Sequence, residues 1–325
     1  MLPLSEEPGT GAASTPVRGL PGPTLDGCRI LSKGSPTYRD GSEARLFEIV
    51  SGALDLSSGS DELADQSSNW PEQYHLTPAR ANFLRAMKLD AEMAVLDIGA
   101  GCGALSRYLG ENCRLVDAIE PVLERARVAR ARTRDLPNVE VFVGSLADIP
   151  AETTYDLIVV AGVLEYVGLG APDASPYRSL LAACASRLSP GGTLLVAIEN
   201  SLGVKYLVGA PEDHSGRPFD SLEGYPEGSP ARTFPRSTLT RWLIEVGLRP
   251  TFLSAFPDYK LTRTLLADRL FETQPDLAWR LAKFPSPDWP GPTRRVAREA
   301  AAWRTLVEAG LGSQTANSFV ILASD

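Results

Sequence analysis

The sequence predicts an α/β fold in which helices cover both faces of a mostly parallel, doubly wound sheet. Five short apolar runs are interspersed with helical patterns between residues 94 and 200, as parallel sheets require. The predicted strand at 155–162 contains a continuous apolar run, which is typical of a strand buried on both faces. The carboxyl ends of such strands are where a sheet of this kind binds its ligands.

The predicted core elements follow one another closely. The strands are expected at 94–99, 114–121, 138–146, 155–162 and 193–200, and the helices between them at 103–113, 122–134 and 175–189. We expect the last of these helices to stop at Pro190-Gly191-Gly192. The elements expected after the core are a helix at 235–247 with Ser237 as N-cap, a strand at 249–256, a helix at 294–309 and a final strand at 317–324.

The segments outside this core have different compositions. Residues 1–25 contain nine Gly or Pro and predict a disordered tail without the features of a signal peptide. Helical patterns at 41–56 and at 77–88, where Thr77 is the expected N-cap, predict an N-terminal helical cap over 41–88. We therefore expect one domain at 26–325, with its core at 93–256, an insertion at 257–315 that carries a proline-rich stretch at 285–292, and its last strand at 317–324.

Composition narrows the possible partners and the compartment. A net charge of −8 argues against nucleic acid and anionic membranes as partners. The arginine-rich helix at 122–134 is therefore interpreted as a solvated face rather than an RNA-binding one. The longest apolar run, Leu157–Leu164, is far too short to span a bilayer. Four cysteines without CxxC or zinc-site spacing favour free thiols in a reducing, cytoplasmic environment.

The strongest motif is a strand that runs directly into three alternate glycines and then a helix. Asp97 lies in this strand, and the glycines form the segment Gly99-Ala100-Gly101-Cys102-Gly103. Glycines let the backbone turn sharply and lie against a ligand, although G-x-G-x-G is not the full pyrophosphate fingerprint. Glu120 closes the next strand, 17 positions after Gly103, where a carboxylate can accept hydrogen bonds from both ribose hydroxyls. The set predicts a nucleoside-containing ligand; the alternative is a tight turn beside a solvated carboxylate.

Four segments in order carry a family resemblance: VLDIGAGCG, VDAIEP, YDLIVVAGVLEYV and LSPGGTLLVAIEN. With these the chain resembles the class I S-adenosylmethionine-dependent methyltransferases over about residues 70–256, and again at the final strand. The resemblance implies a Rossmann-like sheet of seven strands, the last antiparallel, a transferase activity and S-adenosyl-L-methionine as cofactor.

The resemblance also implies cofactor-binding residues. Those for the methionine part are Asp97, Gly99, Ala100, Gly101, Gly103, Ala161 and Gly162; those for ribose are Glu120 and Pro121; those for adenine are Ser145 and Leu146; Tyr74 is a further cofactor contact. Ser145 departs from the family pattern, in which an Asp is frequent at that position, and this weakens the implied adenine contact.

A narrower resemblance concerns the acceptor. WPEQYHLTPARANFLR, GVLEYV, IENSLGVKYLVGAPEDHSGRPFDSLEGYP, FPDYK and ANSFVI are similar to methyltransferase modules of bacterial surface-polysaccharide and actinobacterial natural-product clusters. The similarity implies O-methylation of a sugar, nucleoside or glycosylated natural-product hydroxyl, in polysaccharide or antibiotic biosynthesis. An N-methyltransferase, another enzyme of the same fold that binds the same cofactor, or a non-catalytic binding module remains an alternative.

A sugar hydroxyl is a poor nucleophile, so a general base is expected. The candidates are His214, made more basic by the adjacent Asp213, and Glu165; each also has a purely structural interpretation. The expected acceptor contacts are His75, Tyr166, Glu199, Asn200, Lys205 and Tyr259, with Asp258 and Lys260 as further wall residues. Glu199, Asp213 and His214 carry metal-binding atoms but lack ligand spacing, so no metal is predicted.

Overall fold

A computed structural model describes residues 2–3, 22–33, 40–169, 174–276, 280 and 294–325. The chain divides into two compact units, Met1–Val160 with Ser186–Leu194, and Ala161–Ala185 with Leu195–Asp325. Most of the predicted tail at 1–25 lies outside the described residues, and the single domain at 26–325 stays a prediction.

The first unit contains the greater number of strands. Its strands are β1 Leu2–Pro3, β2 Thr24–Leu25, β3 Cys28–Ile30, β4 Met87–Lys88, β5 Ala94–Ile98, β6 Leu115–Glu120, β7 Val139–Val143, nearly all of β8 Tyr155–Ala161 and the first part of β9 Leu188–Glu199. Its helices are α1 Glu43–Gly52, α2 Asp61–Asp65, α3 Trp70–Leu76, α4 Asn82–Arg85, α5 Ala104–Asn112 and α6 Leu123–Arg132, with 3-10 turns at Pro78–Ala81 and Leu146–Asp148.

The sheet of the first unit follows the order β8-β5-β6-β7-β3-β2. All neighbours in it are parallel except β2 and β3. Asp97 pairs with Ala118 on one side and Val159 on the other, and every residue of β5 and β6 is buried. The predicted strands at 94–99, 114–121, 138–146 and 155–162 are therefore confirmed as parallel strands. Their carboxyl ends lie at one edge, next to the glycine segment.

The N-terminal helices pack on α6 through a hydrophobic cluster. Its buried members are Leu46, Ile49, Val50, Ala53, Leu56, Leu63, Leu76, Cys102 and Val128. The cluster includes Cys102 of the glycine segment, so the helical cap supports that segment from one side. The predicted single helix at 77–88 is wrong, because a 3-10 turn, α4 and β4 follow one another there. Thr77 does take the predicted N-cap position, but of the 3-10 turn and without a side-chain hydrogen bond, and it is also the C-cap of α3. Thr77 is extended because the residue before a proline is disfavoured in helical geometry.

The interpretation of the arginine-rich helix as a solvated face is also wrong. Arg125 and Arg132 of α6 are buried. Arg130 donates to the carbonyls of Thr133 and Val139. Arg134, just beyond the helix, donates to the carbonyls of Val50 and Ala53 at the end of α1, at 2.9 and 2.8 Å. The guanidinium groups are therefore used to join α6 to its neighbours.

The second unit contains an antiparallel sheet. Its strands are the remainder of β9, β10 Arg249–Phe256, β11 Thr264–Ala267 and β12 Ser318–Ser324, and its helices are α7 Ser175–Ala185, α8 Val204–Leu207, α9 Arg236–Glu245, α10 Arg269–Thr273 and α11 Glu299–Glu308. The order is β11-β10-β12-β9, with β10 antiparallel to β11 and β12. The two strand orders together contain ten strands, whereas seven were expected. The three additional strands are β2 and β3 at one edge and β11 at the other.

Two predicted boundaries differ from the structure. Pro190-Gly191-Gly192 does not precede a strand but lies inside β9, which begins at Leu188. A Cβ at Gly192 would come within 3.0 Å of the Tyr155 carbonyl oxygen, so glycine permits the close approach of the two strands. Ser237 is not the N-cap of α9; Pro235 takes that position.

Two further observations complete the fold. The proline-rich stretch predicted at 285–292 lies outside the described residues. In the part of the chain that the structure describes, no helix has the length and apolarity to cross a membrane.

Candidate functional site

The glycine segment forms a tight turn between β5 and α5. Gly99, Gly101 and Gly103 all have positive φ, at 67°, 56° and 79°. A Cβ on Gly103 would lie 2.7 Å from the Ala129 Cα, and one on Gly101 would lie 2.9 Å from the Arg125 guanidinium. Glycine is therefore required here both by backbone conformation and by close packing on α6.

Two buried carboxylates flank this turn. Glu120 accepts hydrogen bonds from the backbone N–H groups of Gly101 and Val122, at 2.8 and 2.9 Å, which fixes its position at the end of β6. Asp97 accepts from the Ser106 hydroxyl at 2.6 Å. Burial raises the pKa of Asp97 to about 6, partly offset by the Ser106 hydrogen bond. Both carboxylates retain acceptor capacity, since each oxygen has two lone pairs.

The helix that follows the glycines leaves its first N–H groups without a side-chain cap. Gly103 is the N-cap of α5, and no side chain caps the helix. Uncapped N–H groups and the helix dipole favour an anion there. S-adenosyl-L-methionine carries a carboxylate, cationic amino and sulfonium groups, and a ribose diol. The uncapped helix start fits the carboxylate, Asp97 fits the cationic groups, and Glu120 fits the ribose diol.

The region implied for adenine is organised by another carboxylate. The Ser145 N–H donates to Asp148 at 2.7 Å, and the Ser145 hydroxyl lies 3.1 Å from the same oxygen. Ser32 also donates to that oxygen. Leu146 is buried, while Ser145 is exposed. The hydroxyl of Ser145 is thus held by Asp148, which holds the turn after β7 in place.

Tyr74 and His75 lie on α3 in the helical cap. The Arg80 guanidinium stacks on the Tyr74 ring, 4.6 Å from its centroid. His75 is buried and hydrogen-bonds through Nε2 to Asp40 at 3.1 Å. Burial lowers the pKa of His75 to about 4, although Asp40 opposes the shift. His75 is therefore a neutral, packed histidine at physiological pH.

The buried state of His75 predicts a pH-dependent stability. The unfolded chain binds a proton below pH 6.5, whereas the folded one resists protonation down to about pH 4. The free energy of unfolding should thus fall by about 2 kcal/mol between pH 7 and pH 5 because of this residue. Urea denaturation at both pH values should show that His75→Gln abolishes this part of the loss. His214→Gln should leave it in place, since the pKa of His214 is raised; an unchanged loss in His75→Gln would contradict the assignment.

The second unit contains a cluster of buried and partly buried charged side chains, which we call the polar cluster. Its members are Glu165, Glu199, Lys205, Glu212, Asp213, His214 and Lys260. Glu165 lies in the 3-10 turn Leu164–Tyr166 after β8, Glu199 ends β9, and Lys205 lies on α8. The others come from the loop after α8 and from the turn after β10. Charges in such positions are found in proteins only when they are paired.

Asp213 is the central acceptor of the polar cluster. The Lys205 ammonium donates to both of its carboxylate oxygens, at 3.0 and 2.8 Å, and the Lys260 ammonium donates to one at 2.6 Å. Lys260 also pairs with Glu199. Burial raises the pKa of Asp213, but the two lysines outweigh it and hold that pKa well below its usual range. Asp213 therefore serves the two lysines rather than His214.

Glu165 and Glu199 hydrogen-bond to each other through their carboxyl groups. The Oε2 atom of each is buried, and among the described residues no N–H or O–H group donates a hydrogen bond to it. Burial and the neighbouring Glu199 charge raise the pKa of Glu165 well above its usual value. The pKa of Glu199 is lowered, because Lys260 and His214 outweigh the opposite effect of burial. We infer that Glu165 is protonated and donates to ionised Glu199.

His214 is partnered by Glu212, two residues before it. Its Nδ1 lies 2.9 Å from Glu212 Oε1, and its ring packs edge-on against Tyr166. Burial lowers the pKa of His214, but the Glu212 hydrogen bond and the Glu199 charge outweigh it and raise the pKa above 6.5. The sequence prediction named the wrong carboxylate, since the side chain of Asp213 is directed at the lysines.

The other predicted residues of this unit have structural contacts. The Asn200 amide donates to the carbonyls of Gln314 and Ala316, both at 2.8 Å. The Tyr259 hydroxyl donates a long, 3.4 Å hydrogen bond to Glu165. Gly162, the residue after Ala161, has a positive φ of 73°, and its backbone N–H group donates to the Ala197 carbonyl. Within the described ranges, no group of three His, Cys, Asp or Glu side chains has the arrangement of a metal site.

Sequence reasoning missed Glu212 and Tyr225. Glu212 accepts hydrogen bonds from the backbone N–H groups of His214 and Ser215, both at 2.8 Å. Such a turn brings the carboxylate of one residue onto the ring two positions later. The signal present in the sequence was the spacing of Glu212 and His214 within a turn. The Tyr225 hydroxyl reaches Glu212 across 13 positions, and no local pattern indicates it.

Comparison with known proteins agrees with the geometry of the first unit. Residues 96–194 match the family model described as a methyltransferase domain. Over 150 residues the chain is 31% identical to a ubiquinone biosynthesis O-methyltransferase of Xanthomonas campestris, covering 43% of this chain and 60% of that protein. It is 32% identical over 189 residues to the human mitochondrial enzyme of the same name, covering 51% and 49%. The chain thus spans about half to three fifths of the length of these curated relatives.

A solved structure resembles the chain more loosely. It is an S-adenosylmethionine-dependent methyltransferase from Mesorhizobium loti, 18% identical, with a TM-score of 0.44, and the match covers 76% of this chain and 98% of that one. The family match includes the glycine turn, Glu120 and all or part of each strand from β5 to β9. The chain therefore matches a methyltransferase domain over residues 96–194.

Proposed function

We propose that the protein transfers a methyl group from S-adenosyl-L-methionine to a hydroxyl of a sugar, a nucleoside or a glycosylated natural product. The observation that carries the proposal is His214, a histidine whose side chain is only 6% exposed and whose Nδ1 is held by the Glu212 carboxylate. A hydroxyl must lose its proton when it is methylated, and such a histidine is suited to accept it. The relatives' names support transfer to oxygen.

Each part of the chain has a definite task in this proposal. The glycine turn, Asp97 and Glu120 bind and orient the cofactor. When bound, the cofactor supplies a reactive methyl group, so the protein contributes mainly position and the exclusion of water. Neutral His214 takes the hydroxyl proton, and Glu212 stabilises the resulting imidazolium. The negative charge of Glu199 stabilises the same imidazolium.

The proposal also covers the partners of the protein and its location in the cell. The acceptor is a small molecule or a glycan, and neither nucleic acid nor a membrane is a partner. The engagement of the α6 arginines with backbone carbonyls supports the first exclusion. Cytoplasmic localisation is supported by four cysteines that are all buried free thiols.

Mass spectrometry tests the function. The protein is incubated with S-adenosyl-L-methionine and a panel of sugar nucleotides, nucleosides, glycosides, phenols and amines. We expect one added methyl on a hydroxyl of a saccharide-containing acceptor, and none with the Glu120→Ala variant. Methylation of a phenol or an amine would overturn the acceptor class, and calorimetry that shows no binding of S-adenosylhomocysteine would overturn the enzyme assignment.

A further inference from the structure

Glu212 is a buried carboxylate with an unusually complete set of donors. One oxygen accepts from the backbone N–H groups of His214 and Ser215. The other faces the Nδ1 of His214 at 2.9 Å and the Tyr225 hydroxyl at 3.3 Å. Tyr225 is itself held by Thr233, whose hydroxyl lies 2.8 Å away. The side chain of Glu212 is fully buried, so these contacts leave it a single position.

This arrangement decides which nitrogen of His214 is available. Because Glu212 is a carboxylate, Nδ1 must carry the hydrogen in the neutral ring, and the lone pair is then on Nε2. The backbone N–H group of His214 binds the same carboxylate, so the ring is fixed relative to its own main chain. The groups that face the ring from other elements are Tyr166 after β8, Glu199 at the end of β9 and Lys260 after β10.

We propose that Glu212 is the positioning residue that fixes the tautomer and orientation of His214, so that Nε2 receives the proton of the acceptor hydroxyl. This inference rests on the proposed function. In the step it serves, the acceptor O–H bond breaks and an Nε2–H bond forms. The acceptor oxygen bonds to the methyl carbon as the carbon–sulfur bond breaks, and that electron pair stays on sulfur. Tyr225 donates a hydrogen bond to Glu212 and so helps to hold the carboxylate against the ring.

The chain has only two histidines, which makes a direct test simple. The imidazole titrations of His75 and His214 are followed by NMR in the full-length protein, in Glu212→Gln and in the matched control Glu223→Gln, which alters an exposed carboxylate of the same loop. We expect the His214 midpoint to fall by about one pH unit or more in Glu212→Gln, since a hydrogen bond to a charged group is lost. The titrations of His75, and of both histidines in the control, should not change.

Kinetics then tests the role in the reaction. In the parent protein kcat should rise with pH through the raised pKa of His214, because only the neutral ring accepts a proton. In Glu212→Gln this limb should move to lower pH, with kcat reduced about 10-fold to 100-fold and the KM for S-adenosyl-L-methionine unchanged. A folded Glu212→Gln protein with the parent His214 midpoint and the parent pH profile would overturn the inference.

Two outcomes are kept separate by this design. If no acceptor is methylated, the proposed function fails, while the NMR midpoint still shows whether Glu212 controls His214. If Glu212→Gln does not fold, Tyr225→Phe decides the matter, because Glu212 freed from the tyrosine hydroxyl should hold the imidazolium more strongly and raise the His214 midpoint. An unchanged midpoint in Tyr225→Phe would then count against the inference.

Discussion

Alanine at position 120 should weaken the binding of S-adenosylhomocysteine at least about 100-fold. The carboxylate of Glu120 accepts hydrogen bonds from the backbone N–H groups of Gly101, in the glycine turn, and of Val122, and it is expected to accept two more from the ribose. Each hydrogen bond to a charged group contributes about 1.5–3 kcal/mol, and about 1.4 kcal/mol corresponds to a tenfold change in affinity. Isothermal titration calorimetry measures the effect directly.

Glu92→Ala is the matched control, since Glu92 is an exposed carboxylate just before β5. Its affinity should equal that of the parent. Glu120→Gln should fall between the parent and Glu120→Ala, because an amide oxygen can still accept from one N–H group while the amide nitrogen cannot. Circular dichroism establishes that the variants are folded. Parent-like affinity in folded Glu120→Ala would remove Glu120 from the cofactor site.

Methionine at position 260 should lower the free energy of unfolding by about 3–5 kcal/mol, the usual cost of breaking a buried ion pair from one side. Lys260 donates to both Asp213 and Glu199, and the side chains of these two residues are buried. Asp213 would retain Lys205, but Glu199 would lose its only ammonium partner among the described residues. Equilibrium unfolding in urea at pH 7 measures the loss.

A double variant tests whether the lost stability comes from the unpaired charge of Glu199. Glu199→Gln in the Lys260→Met background should recover part of the stability, because the uncompensated charge is removed. Lys33→Met, which removes an exposed ammonium, is the control and should change stability by less than about 0.5 kcal/mol. If Lys260→Met were as stable as this control, the polar cluster would not depend on Lys260.

The fold of the first unit was largely readable from sequence because its strands are buried on both faces. The run Leu157–Val160 of β8 is apolar throughout, which is typical of a strand buried on both faces. The short strands β2, β3 and β11 were not predicted, since two to four residues carry no periodic signal. The segment at 190–192 misled the prediction because glycine serves equally in a turn and in the close contact of two strands.

The two groups of candidate residues differ in the same way. The residues implied for the cofactor could be named from the sequence because their pattern is local: three glycines and a carboxylate occupy fixed positions after consecutive strands. The polar cluster was found only in part, since its pairs join residues far apart in the chain, such as Lys260 with Glu199, at a separation of 61. Adjacency also misled the choice of carboxylate for His214, because side chains of neighbouring residues in a turn point in different directions.

Three arginines in and just after α6, Arg130, Arg132 and Arg134, bind main-chain oxygens, and this has an evolutionary consequence. Val50 and Ala53, which receive Arg134, offer only their carbonyls to it. Every amino acid has that group, so the receiving positions are free to vary as far as these contacts are concerned. The arginines are not, because lysine lacks the planar fork that reaches two carbonyls at once. For these hydrogen bonds, selection therefore acts on the arginines and not on the residue types in α1 that supply the carbonyls.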